Sequence, residues 1–301
     1  MESLLLNDGV TRVGPYAFEN CYKLSEVVIP STCTNIAEYA FQGCSNLKSV
    51  LISDGMEEIQ KYAFNKCVSL SKVSLPETLV KIGKFAFDGC DNLHHITIPK
   101  SVKYMAHAFD GGSLKSVEFA PGLSVISDYS FRGCPLEKVS IPSSVERIGK
   151  SAFAEVYKMT SLDICNGVKF VDSEAFSLCT GLVDVNLGQS ITYIGESAFE
   201  RCFQARISLH EGLEEIGGNA FYECYNLENV IPASIKKIGD NAFYRAFGDN
   251  INYLFVKATE PPVVDDGIGF SGTIYVPKES YELYINDDYW KIFVSCKPIS
   301  Y

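Results

Sequence analysis

Cysteine is the residue type in this chain best suited to chemistry, and there are eleven in 301 residues. Eight of them (Cys21, Cys44, Cys67, Cys90, Cys134, Cys179, Cys202 and Cys224) are spaced by 22 or 23 residues or about twice that. Metal ligation by thiolates needs clustered donors, such as Cys-x-x-Cys or a mixed Cys/His set. The chain contains neither, so no metal and no cofactor are expected. Thiols on equivalent positions of repeated segments run side by side instead of toward one another, which is poor geometry for a disulfide. They are expected to be buried free thiols packing as small hydrophobes, with Gly112, Val156 and Ala246 filling equivalent places. Cys33 stands where Val145 or Leu79 stands elsewhere and is expected in the core, whereas Cys165 and Cys296 lie outside the row.

The other chemically capable groups are isolated. Of the four histidines (His94, His95, His107 and His210), His95 is expected to face outward and His107 replaces a Tyr or Phe before Ala108. Neither has an evident nucleophile in sequence reach. Asp265-Asp266 and Asp287-Asp288 lack the alternating oxygen donors of a calcium loop and read as solvated acids. No nucleophile elbow, phosphate-binding loop or dinucleotide fingerprint occurs in a suitable context. The chain is read as noncatalytic.

What positions the cysteines is a repeat. An Ala-Phe pair returns at residues 17, 40, 63, 86, 108, 152, 175, 198, 220 and 242, with Ser130-Phe131 as the one Ser variant. A fixed period of this size means one supersecondary unit stacked on copies of itself. The frame is clearest from Leu70 to Cys90, where Leu70, Val73, Leu75, Leu79, Ile82, Ala86, Phe87 and Cys90 recur as apolar positions. Val73 and Leu75 alternate with Lys72 and Ser74, the period of a strand with one buried face. Equivalent strands are expected around Val27, Val50, Ile96, Val117, Val139, Leu162, Val185, Ile207 and Leu254. Because each coil runs the same way, they are expected to pair in parallel as one continuous sheet. Pro30, Pro76, Pro99, Pro142 and Pro232 end the strands, where a missing N–H costs little. Gly14, Gly83, Gly149, Gly195, Gly217 and Gly239 suit a positive φ or a close backbone approach, and Ala-Phe-x-x-Cys is expected to be a short helical turn. An aromatic row precedes Ala-Phe at Tyr16, Tyr39, Tyr62, Phe85 and Tyr129; rung-on-rung packing is favoured for it over an exposed stacking strip.

This frame resembles the BspA-like, or treponemal-type, leucine-rich repeats, whose unit of about 23 residues ends in Ala-Phe-x-x-Cys. Val139 to Ile148 with Gly149, Ala152 and Phe153, and Ile191 to Leu209, match it well. The resemblance implies a leucine-rich-repeat solenoid of the β-rich α/β class: a curved array of about 11 repeats of 22–23 residues, with turns or helical turns opposite the sheet. It also implies display at the cell surface or secretion, and adhesion to proteins or glycans.

Residues 1–250 are assigned to the repeat array, beginning inside a repeat with Leu4 and Leu6 inward, a start consistent with a trimmed or mature fragment. Residues 251–301 supply the last strands, a short helix over Lys278 to Asn286, and a capping segment around Trp290, the only tryptophan. With 26 basic and 37 acidic residues the net charge is −11, which argues against a nucleic-acid partner. No run of 18 apolar residues exists to span a membrane.

Outward positions of the strands form two rows that could meet a ligand. The first contains Glu26, Ser49, Lys72, His95, Asn229 and Tyr253; the second contains Val28, Leu51, Ser74, Thr97 and Phe255. Apolar residues sit at both ends, and Val28 with Leu51 and Tyr253 with Phe255 are the expected anchors. The function expected is recognition or adhesion by a monomer outside the cell, with a structural spacer in a longer surface protein as the alternative.

Overall fold

The structure, a computed structural model, describes residues 3–248, 251–293 and 295–299. The expected boundary between residues 250 and 251 falls beside residues 249–250, which lie outside the described ones. Two compact units are present: residues 1–145 with 152–156, and residues 146–151 with 157–301.

The first unit is built of stacked coils, each contributing two parallel strands. Ser3–Leu5, Glu26–Ile29, Ser49–Ile52 and Lys72–Ser74 pair in that order, with Leu4, Val27, Val50 and Val73 aligned. His95–Ile98 pairs with Ser116–Phe119. A second row, Arg12–Val13, Asn35–Ile36, Glu58–Ile59 and Lys81–Ile82, forms its own parallel sheet. The expectation of one continuous sheet is therefore corrected: each coil meets its neighbour through two strands. The principal row is also interrupted after Lys72–Ser74, where Val73 and Leu75 are half-buried instead of buried.

The second unit repeats the scheme. Arg147–Ile148, Phe170–Val171, Tyr193–Ile194, Glu215–Ile216, Lys237–Ile238 and Val263–Val264 form the short-strand row. Ser161–Ile164, Asp184–Asn186, Arg206–Ile207 and Asn226–Leu227 form the other. Cys224 to Pro232 spans one residue fewer than Cys90 to Pro99, and there the strand breaks in two. Asn226–Leu227 continues the earlier strands, while Val230–Ile231 begins a new set with Tyr253–Val256, Thr273–Val276 and Ser295–Pro298.

The Ala-Phe segment is not a helical turn. It is a chain of β-turns, with Ala17 N–H donating to the Gly14 carbonyl, Glu19 to Tyr16 and Cys21 to Phe18. Between these bonds the same segment reaches the next coil: Tyr16, Phe18 and Asn20 N–H donate to Glu38, Ala40 and Gln42 carbonyls at 3.2, 2.8 and 2.7 Å. The backbone is left-handed at Tyr16 and Asn20, with φ of 59° and 57°. The repeated glycine is not the positive-φ position. Instead a Cβ on Gly83 would lie 2.4 Å from the Lys61 nitrogen, so close approach between coils is what glycine permits.

The core is a stack of phenylalanines. From Phe18 through Phe153 in the first unit, ring centroids are 5.1–5.5 Å apart and the planes nearly parallel. Phe176, Phe199, Phe221 and Phe243 continue likewise in the second. The cysteines lie beside the rings as free thiols, and Cys33 is buried too. Their role is more specific than filling: Cys44, Cys67, Cys90 and Cys134 each donate S–H to a phenylalanine carbonyl of the preceding coil at 3.0–3.2 Å. The second unit ends on Tyr281–Asn286, a single helical turn and a half, and on Trp290, fully buried with its indole N–H on the Pro262 carbonyl at 2.9 Å.

Candidate binding surface

Strand alternation places ten of the eleven candidate residues on the outward side, all but Asn229, and the register then groups them. In the first unit, Leu5, Val28, Leu51 and Ser74 stand on consecutive strands in one row. Leu5 is 70% and Leu51 51% exposed, with half-buried Val28 between them. The parallel row reads Ser3, Glu26, Ser49 and Lys72. An apolar strip thus runs beside a hydroxyl and mixed-charge strip, the composition of an interface core with a polar margin. Leu5 was not foreseen as part of it, although one repeat back from Val28 leads to it.

Farther along, His95 stands beside Ser116, and its Nδ1 lies 2.9 Å from the Ser116 hydroxyl. Thr97 Oγ1 donates to Glu118 at 3.4 Å. These exposed polar residues partner one another and not the apolar strip.

In the second unit Asn229 leaves the expected row because of the one-residue shortening. Asn226 takes the place beside Arg206, and Val230 stands beside Phe255. Asn229 instead donates from its amide to the Tyr253 carbonyl at 3.3 Å. Phe255 then pairs with Tyr275, and Tyr253 with Thr273. Tyr253, Phe255 and Tyr275 form an aromatic cluster with centroids 5.2–6.3 Å apart. Tyr275 and Val230 are additions to the sequence-derived set; alternation along Thr273–Val276 carries the signal for the first. Beside Thr273, a recess of about 410 Å³ is lined by Asn252, Phe270, Ser271, Ile292 and Phe293.

Elsewhere several groups capable of chemistry are held in internal contacts. Burial pushes the Cys134 thiol up to about 12, and it raises Cys90 and Cys202 as well, so these sulfurs stay protonated at neutral pH. Asp110, its side chain 6% exposed, is held between His107 Nδ1 and Arg132 Nε, both at 2.9 Å. Among the described residues no three of His, Cys, Asp and Glu converge as metal ligands, and no helix is long and apolar enough to cross a membrane.

The repeat is matched by the model of the BspA type leucine-rich repeat region over residues 1–107, 105–206 and 149–254. The chain belongs to that family. Among solved structures, this BspA-type chain is similar to a leucine-rich repeat protein of T. pallidum, at 31% identity over 60% of this chain and 77% of that one, TM-score 0.43. A leucine-rich cell surface protein of Faecalibacterium prausnitzii matches at 22% identity over 94% and 90% of the two chains, TM-score 0.49. A leucine-rich repeat protein of Bacteroides ovatus matches at 26% identity over 99% and 92%, TM-score 0.40. No curated protein matches the chain. The fold is the leucine-rich-repeat solenoid, and membership of the family points to binding or adhesion as the general role.

Proposed function

We propose that this BspA-type chain is a noncatalytic recognition module, displayed outside the cell as a monomer, that holds protein partners against the outward face of its principal strands. The observation that carries the reading is the row Leu5, Val28, Leu51, which keeps large aliphatic groups in water on a rigid sheet. Covering apolar surface gains roughly 25 cal/mol per Å², so an aliphatic row of this length adds to binding wherever a partner excludes water from it. The Tyr253, Phe255 and Tyr275 cluster is the corresponding anchor of the second unit. Such a face makes many modest contacts, so affinity rests on anchors rather than on one pocket.

The test is binding of the immobilised chain to a panel of extracellular-matrix proteins, with Leu51→Arg and Phe255→Arg as variants. Leu51 is half exposed, so Leu51→Arg should leave melting unchanged, whereas Phe255→Arg also gives up ring packing against Tyr275 and should lower it slightly. At least one partner should bind and lose tenfold or more with one of these variants, while Ser140→Ala leaves it intact. A panel without any binder, or equal binding by all four proteins, would defeat the reading.

A further inference from the structure

The turn side of the first unit carries a second, differently built surface. Tyr16, Tyr39 and Tyr62 stack at 5.0 Å between centroids with planes within 7° of parallel, and Phe85 follows at 5.5 Å. Because the ring faces are used against one another, the row turns its edges and phenol hydroxyls outward. Tyr16 is 53% exposed and the others are half-buried. The Tyr16, Tyr39 and Tyr62 hydroxyls hydrogen bond to no other described residue. Three residues after each ring comes a polar side chain: Glu19, Gln42, Asn65 and Asp88. That the two positions adjoin is shown by the equivalent pair one coil farther on, His107 and the buried Asp110, in contact at 2.9 Å. Asn65 and Asp88 are themselves linked across coils at 2.7 Å.

Several charges around the stripe are engaged locally. Lys61 pairs with Glu38 at 3.3 Å, Lys84 lies 4.9 Å from the Phe85 centroid, and Asp110 is shared by His107 and Arg132. What remains for a ligand is the line of Tyr16, Tyr39 and Tyr62 hydroxyls with Glu19 and Gln42 beside it, since Asn65 is buried and bonded to Asp88.

We propose that this stripe binds an uncharged polysaccharide, one sugar ring per coil. The rung spacing of 5.0 Å is close to the length of one pyranose unit in an extended chain, so ligand and protein stay in step from coil to coil. An extended peptide presents side chains to one face every two residues, about 6.6–6.8 Å, and loses register within a few rungs. Phenol hydroxyls both donate and accept, as sugar hydroxyls do, and the adjoining carboxylate and amide oxygens accept from vicinal sugar hydroxyls. Many weak, evenly spaced contacts give avidity for long chains over short ones. The surface lies on the turns and is independent of the outward sheet face, so either reading can fail without the other.

Affinity electrophoresis of the full chain tests it, in gels containing mixed-linkage glucan, xylan or galactomannan, with heparin and polylysine as charged controls. At least one neutral polymer should retard the chain, and added salt should leave the retardation in place. The double variant Tyr39→Phe/Tyr62→Phe keeps the ring stack and removes two hydroxyls; it should weaken retardation at least fivefold with an unchanged melting temperature. Gln42→Ala should weaken it as well, whereas Leu51→Arg should not. Retardation by the charged polymers alone, by none of them, or equally by wild type and the double variant overturns the proposal.

Discussion

Cys44, Cys67, Cys90, Cys134, Cys202 and Cys224 are each fixed at two points, by packing beside a phenylalanine and by an S–H bond to a carbonyl of the coil before. That second tie explains why cysteine is used where alanine would fill the space. It also has a pH consequence. The Cys134 thiol moves from about 9 to about 12 on folding because burial disfavours the thiolate. A raised folded value means that the stabilisation is complete below pH 9 and drains away as pH climbs toward 12, since the unfolded chain loses its proton first. The denaturation midpoint should therefore fall across that interval, and Cys134→Ala should fall less steeply over it, although starting lower. Parallel slopes for the two proteins would show that the thiol is uninvolved. In the folded state Cys134 should resist alkylation under conditions that label the denatured chain.

At the level of the coil, the decisive constraint is backbone approach. A methyl group on Gly83 would meet the Lys61 nitrogen at 2.4 Å, whereas one on Gly14 would meet nothing within 4 Å. Gly83→Ala should destabilise the first unit by about 1–3 kcal/mol, the usual range for overpacking, and Gly14→Ala should be nearly neutral in chemical denaturation. Equal losses would mean that the glycine serves conformation and not contact. The sequence carried the long strands clearly because Val73 and Leu75, like Ile96 and Ile98, alternate with polar neighbours. The second strand row was illegible because pairs such as Asn35–Ile36 are too short to alternate. The turns were misread for a different reason. Their left-handed residues include Tyr39, Tyr62 and Glu174, which no local preference selects, and the bonds they donate to the next coil hold them there. The binding surface was half legible: alternation gave the side, but only the register joined Leu5 to Val28 and exposed the slip at Asn229.

Over the whole chain, repeats that lean on nearest neighbours make the ends a special problem. Trp290 answers it for the second unit, packing with Tyr284, Tyr289 and Phe293 and donating to the Pro262 carbonyl. Trp290→Ala should cost about 3–5 kcal/mol, as for other large buried aromatics. Amide exchange should quicken most over residues 251–293; an unaltered exchange pattern there would show that the indole is dispensable. Two faces of the coils are thus assigned to the two proposals, the strands to protein partners and the turns to the polysaccharide. The hydrogen bonds of the turns add a last consequence. Tyr16, Phe18 and Asn20 all donate forward, and Tyr39, Phe41 and Gly43 repeat the direction in the next coil. The stack therefore has an arrow, like a row of plugs each seated in the next socket. Two coils meeting by like sides would bring carbonyl to carbonyl, so the turn ladder matches donors to acceptors only between coils stacked in the same direction.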